Sequence, residues 1–206
     1  MSKNLLIVFV KNIKLGKVKT RLAKTIGNQG AYEVYKELVL ITENATDKLI
    51  VDKHIYFSDV VIETKWKNDY KTVQYGETLG DRMKNAFLDG FKAGYDNILL
   101  IGSDLPSLTS SIINKGFDAL ENNEVVFGPA EDGGYYLVGF SNMKDFVFEN
   151  KPWSQPNLLD ITKKELQENN TSFGLLETLN DIDTIEDLQN SILKNKFSSL
   201  IKNAQK

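Results

Sequence analysis

The sequence predicts an α/β protein in which a mostly parallel sheet carries helices on its faces. Two observations support this. Apolar, β-branched runs alternate along the chain with segments of helical period. One run, ILLI at residues 98–101, is apolar throughout, as a central strand covered on both faces must be. At 206 residues and 41% hydrophobic content the chain can bury one good core, and nothing in it reads as a linker. A single domain over residues 1–206 is expected.

The elements follow in order. LLIVFV at 5–10 reads as the first strand, and a helix-period segment covers 32–45. Strands are expected at 54–57 and 72–75, then a helix at 79–93 ahead of the central strand. A helix at 110–120, capped by Thr109 and preceded by Pro106, leads to strands at 125–127 and 136–140. Helices at 158–168 and 185–193 close the pattern, the last capped by Asp183 or Thr184 with Glu186 and Asp187 in its first turn.

Composition narrows the chemistry. With no cysteine, disulfides, thiolate zinc sites and cysteine nucleophiles are excluded. The one histidine, His54, lies in a strand-like segment, where packing or a surface position is the ordinary outcome. The formal net charge of -3 argues against a nucleic-acid surface. No stretch is long enough to span a bilayer, and the N-terminal apolar run lacks a signal-peptide pattern, so no membrane partner and a cytoplasmic location are expected. Chemistry should therefore rest on carboxylates, a metal ion, Lys and Arg.

Against that acidic background, KNIKLGKVKTRLAK at 11–24 carries six cations and no acid, directly after the first strand. A cationic loop leaving a buried strand suits phosphate: Gly16 permits close backbone approach, and a helix N-terminus beyond it would offer free N–H groups. A solvated basic loop is the other reading. A Walker A loop is excluded, because its first glycine would fall at Lys11.

In an open α/β sheet, ligands bind beyond the carboxyl ends of the strands. Three acid clusters are expected there. Asp104 directly follows the central strand, where a rigid carboxylate suits Mg²⁺. Asp132, Gly133 and Gly134 lie between two strands, as a hairpin turn to which a binding role could be added. Asp181 and Asp183 alternate in an extended segment and could share one cation, although helix capping would explain one of them.

The blocks GKVKTRLA, QYGETLGDRMKNAF, LLIGSDLPSLT, VVFGPAEDGGYYLVGF, PWSQP and DIDTIEDL occur in order over nearly the whole chain. Together they resemble the radical-SAM/selenodomain-associated transferase 1 family, relatives of 2-phospho-L-lactate guanylyltransferase and molybdenum cofactor guanylyltransferase. Ile13 stands where that family usually has proline. The resemblance implies a GT-A, nucleotide-diphospho-sugar transferase fold. It further implies a nucleotide over Lys11, Gly16, Lys19 and Arg21, Mg²⁺ (or Mn²⁺) at Asp104 and the Asp181-x-Asp183 pair, and an Asp132-Gly133-Gly134 turn in the nucleotide site.

The expected activity is Mg²⁺-dependent nucleotidyl transfer from a nucleoside triphosphate to a small phosphorylated or hydroxylated acceptor. Asp104 and Asp183 would hold the metal while Lys19 and Arg21 stabilise the departing pyrophosphate. Arg82 is a further phosphate candidate, or a surface residue paired with Asp81. Trp153 lines the acceptor pocket, or is a core tryptophan. Glycosyl transfer from a nucleotide-sugar would use the same residues, and a non-catalytic nucleotide sensor is the third reading.

Overall fold

The computed structural model describes residues 3–204. One seven-stranded sheet runs in the order β3-β2-β1-β4-β6-β5-β7. Its strands are β1 (Asn4–Val10), β2 (Asp52–Phe57), β3 (Tyr70–Val73), β4 (Asn97–Ile101), β5 (Val125–Pro129), β6 (Tyr135–Phe140) and β7 (Phe173–Leu175). All pairings are parallel except those of β6, which runs antiparallel to β4 and to β5. The expected fold class is the observed one.

β1 and β4 sit at the centre, paired from Asn4 opposite Asn97 to Val8 opposite Ile101, and both are buried along their length save Asn4. Their side chains alternate between two cores. Leu6, Val8 and Val10 pack under α1 (Thr20–Asp47) and α3 (Ser110–Leu120) on one face. Leu5, Ile7 and Phe9 pack under α2 (Leu79–Lys92) and α4 (Leu158–Glu168) on the other. Burial on both faces is why these strands read as unbroken apolar runs.

Three elements lie outside the expected pattern, a 3-10 turn at Asp145–Val147, β7 and a terminal helix α6 (Ser198–Ala204), and α5 (Ile185–Asn190) ends earlier than expected. Helix α1 begins at Thr20, twelve residues before the expected 32, and holds a non-helical residue at Gly27 (φ 77°, ψ 162°). That kink interrupts the helical period which located only its second part. The single histidine, on β2, packs against the rings of Tyr70 and Tyr95. Among the described residues no helix is long and apolar enough to cross a membrane.

This topology gathers four segments at one sheet edge. The loops after β1 (residues 11–19) and β4 (102–109) emerge there, as does the 130–134 turn joining β5 to antiparallel β6. The segment after β7 is stitched to that turn by Glu131 N–H donating to the Leu179 carbonyl, 3.1 Å.

Candidate active site

Asp104 stands on the loop after the central strand, with Thr109 capping α3 through a bond from the Ile112 N–H at 3.3 Å. Asp181 and Asp183 flank Ile182, which is fully buried and anchors their strand-like segment, so alternation turns both carboxylates outward on the same side. Thr184, rather than Asp183, caps α5 in a reciprocal box with Asp187. Asp183 is thus released from a structural role.

These acids meet at Lys19. Its ammonium donates to Asp183 Oδ1 at 2.9 Å and Asp104 Oδ2 at 3.1 Å, and stands 3.7 Å from Asp181 Oδ2. The Lys19 side chain is only 6% exposed, against 43% for Asp104, 23% for Asp181 and 40% for Asp183. Burial alone would lower the lysine's pKa, but the three carboxylates outweigh it and raise it above the ordinary lysine range. Arg21, exposed in the first turn of α1, reaches Asp183 Oδ2 at 3.4 Å.

Asp181 carries the cost of this crowding. Burial and the charges of Asp104, Asp183 and Asp132 push its carboxyl up to about 6 from an ordinary 3.8, against the opposing pull of Lys19. A carboxylate whose folded pKa is raised destabilises the fold as pH climbs through that interval. In metal-free buffer, Asp181→Asn should therefore stabilise the protein above pH ~6, by about 1–3 kcal/mol, and be neutral below pH ~4. Paired denaturant melts at the two pH values check this.

The donors suit a hard divalent cation, since three carboxylate oxygens lie within 3.7 Å of one point. The point is held by the Lys19 ammonium, and no preformed cation cage of three acids or histidines occurs among the described residues. Carboxylate oxygens are the donor type Mg²⁺ takes, and in this structure the lysine is their counter-charge.

Next to the cluster lies a cavity of about 330 Å³ bounded by Asp104, Asp132, Gly134, Tyr135, Trp153 and Asp181, with Leu79, Met83 and Leu158 among its apolar lining. Asp132 Oδ1 accepts from the Gly134 N–H at 2.9 Å, closing the turn. Gly133 has φ +87°, and a Cβ there would lie 1.9 Å from the Pro156 carbonyl oxygen. Gly133 is therefore the glycine that docks the 152–156 segment, while Gly134 borders the cavity. Buried Lys151 fixes the start of that segment by donating to the Phe146 carbonyl at 2.6 Å and to Glu165 Oε2 at 2.5 Å.

Tyr135 contributes its ring to the cavity, yet its hydroxyl is buried with no hydrogen-bond partner. An unmet buried hydroxyl costs about 1–3 kcal/mol. Tyr135→Phe should thus raise the melting temperature of the free protein by a few degrees, a shift readable by calorimetry.

Other expected site residues stand apart from the acids. Lys11 borders a separate, mostly apolar cavity of about 260 Å³ with Val10, Val39, Phe57 and Ile62. Gly16 forms a left-handed turn (φ +73°). Arg82 Nε donates to the Gly76 carbonyl at 3.1 Å, and Asp81 bonds Thr78 instead of pairing with it.

Sequence reasoning missed two positioning residues. The Tyr35 hydroxyl, on α1, accepts from the Lys11 N–H at 3.1 Å and is 2.8 Å from Ser103 Oγ, tying the basic loop to the residue before Asp104. Buried Asn12 receives the Asp59 N–H at 2.8 Å and donates to the Val60 carbonyl at 2.7 Å, clamping the loops after β1 and β2 together. The available signal was chemical: a tyrosine on a buried helix face must place its hydroxyl somewhere.

A family model described as an uncharacterized protein conserved in bacteria (DUF2064) matches residues 37–155. No curated protein sequence gives a significant match. The structure superimposes on a provisionally named nucleotide-diphospho-sugar transferase from Desulfovibrio desulfuricans G20 with TM-score 0.88 and 30% identity, over 99% of each chain. A cytidylyltransferase from Leptospira borgpetersenii matches with TM-score 0.58 and 15% identity over 98% of each chain. A CMP:2-keto-3-deoxy-manno-octonic acid synthetase complexed with CTP matches with TM-score 0.54 and 12% identity, over 96% of this chain and 99% of that one. The last two likenesses are of fold.

Proposed function

The chain belongs to the DUF2064 family, and from its site we propose a divalent-cation-dependent transferase that moves a nucleotidyl group from a nucleoside triphosphate to a small acceptor. The observation that supports this reading is the convergence of Asp104, Asp181 and Asp183 on one buried cation beside a cavity at the carboxyl edge of the sheet. The cytidylyltransferase and the CTP-bound synthetase share the fold and favour a nucleotide as donor.

Asp104, Asp181 and Asp183 would hold Mg²⁺ or Mn²⁺, which supplies charge neutralisation at the phosphate oxygens. Lys19 and Arg21 stand ready to balance charge gathering on the departing pyrophosphate, Arg21 as an exposed two-pronged donor. The acceptor oxygen attacks the α-phosphorus, the bond from that phosphorus to the bridging oxygen breaks, and pyrophosphate leaves. Asp132, which lines the cavity with one carboxylate oxygen held by the Gly134 N–H, would take the acceptor's proton. Rate enhancement comes from positioning and fixed charge.

A second reading is glycosyl transfer from a nucleotide-diphospho-sugar, which the name of the 30% identical D. desulfuricans protein favours. Incubating the protein with Mg²⁺, a panel of nucleoside triphosphates and nucleotide-sugars, and an acceptor library separates the two. Release of pyrophosphate supports nucleotidyl transfer, release of a nucleoside diphosphate supports glycosyl transfer, and release of neither with any donor refutes both.

A further inference from the structure

The cavity beside the acids constrains the acceptor. Its lining combines apolar residues (Leu79, Met83, Trp153, Leu158), three acids (Asp104, Asp132, Asp181) and the neutral polar Ser154 and Gln155, and it includes no Lys or Arg. The lysines of nearby segments are held by acids. Lys84 is held by Asp145 at 2.8 Å and Glu149 at 2.7 Å, Lys151 by Glu165, and Lys19 by its three carboxylates. Arg82 has its Nε on the Gly76 carbonyl and Arg21 is exposed beside Asp183, and neither lines the cavity.

Sites that capture phosphate or carboxylate offer fixed cations or clustered N–H donors. Here an anionic group would lose its water against carboxylates, and both the desolvation and the like-charge repulsion oppose binding. Asp132 makes no ion pair among the described residues and stands outside the Lys19 cluster. The apolar residues Trp153 and Met83 offer packing surface for a ring or hydrocarbon segment.

We propose that the acceptor is a neutral or cationic organic molecule, carrying a hydroxyl or amino group on a partly apolar frame, and that phosphorylated and carboxylated acceptors are excluded. This rests on the transferase reading for the identity of the cavity as the acceptor side. It narrows the sequence expectation, which allowed a phosphorylated acceptor. The apolar frame packs on Trp153 while the hydroxyl or amine donates to Asp132. Upon transfer a hydroxyl, or an amine that has first given its extra proton to solvent, passes a proton to that carboxylate as the new bond to phosphorus forms and pyrophosphate departs.

The test uses the full chain and four probes of similar size: 2-phenylethanol, 2-phenylethylamine, phenyl phosphate and 3-phenylpropionate. Tryptophan fluorescence is titrated at neutral pH with and without Mg²⁺, the order of affinities being expected in both, and Trp153→Phe identifies the signal that comes from the cavity. The alcohol and amine should quench Trp153 with dissociation constants at least about tenfold lower than those of the two anions. Asp132→Asn, which keeps the turn's acceptor oxygen, should narrow that ratio without abolishing binding of the alcohol. Equal or tighter binding of the anions overturns the proposal, as does the absence of Trp153 quenching by all four. Because no nucleotide is present, failure here is distinct from failure of the transferase reading, which the donor assay above decides.

Discussion

Lys19→Met should lower stability by about 2–4 kcal/mol at neutral pH and reduce transfer at least a hundredfold. The side chain sits almost fully buried among Asp104, Asp181 and Asp183, and removing it leaves carboxylates facing one another without compensation. Breaking a buried pair typically costs about 3–5 kcal/mol, and the partial exposure of Asp104 and Asp183 brings the expectation below the top of that range. The sign with pH follows from the ion cluster. Since Lys19 is raised above its ordinary range, its stabilisation is complete at neutral pH and is lost only in strongly alkaline solution. In the variant the penalty should shrink as acid protonates the carboxylates. Mg²⁺ should raise the melting temperature of Lys19→Met more than that of the wild type, because the acids then lack a counter-charge. Melts at pH 4 and 7.5, with and without Mg²⁺, check all three statements; a variant as stable as wild type and indifferent to Mg²⁺ would contradict them.

Gly133→Ala should be the most damaging substitution in the 130–134 turn. The residue has φ +87°, and the added methyl would fall 1.9 Å from the Pro156 carbonyl oxygen, where backbone rather than a flexible side chain must move. A loss of about 3 kcal/mol, or about 6–12 °C in melting temperature, is expected, together with release of the 152–156 segment and hence of Trp153. Gly134→Ala meets only Asp132 Oδ1, at 3.1 Å, and should cost under about 1 kcal/mol. Calorimetry on the two variants, with Trp153 fluorescence as the local probe, distinguishes them. Equal losses at the two positions would show that the contact with Pro156 does not hold the turn.

Much of this arrangement is legible in the residues. A run such as 98–101, apolar on both faces, must be central, and an acid directly after it must stand at the ligand edge, which is where Asp104 lies. The alternation of Asp181 and Asp183 around an apolar residue likewise predicts a shared direction, and both reach Lys19. What the residues conceal is contact between distant segments. Lys19 looks like any other cation of a basic loop, and its burial depends on acids 85 and 164 positions away. Which glycine of the pair is indispensable depends on Pro156, folded back from a different segment. β7 escaped because three residues, Phe-Gly-Leu, partly exposed, give no period to read. The start of α1 escaped because Gly27 breaks the helical phase between its two parts.

The central claim is that Asp104, Asp181 and Asp183 form the cation-dependent donor site. It is tested most directly by calorimetric titration of a nucleoside triphosphate panel into wild type and Asp183→Asn, each with Mg²⁺ and with EDTA. Asp183 is 40% exposed, and Asn preserves its shape, so the variant should fold. The account predicts that at least one triphosphate binds wild type only with Mg²⁺, and that Asp183→Asn weakens this binding about tenfold or more while leaving the metal-free melting temperature within a few degrees. Nucleotide binding that is equally tight without Mg²⁺, or unchanged in Asp183→Asn, would contradict it.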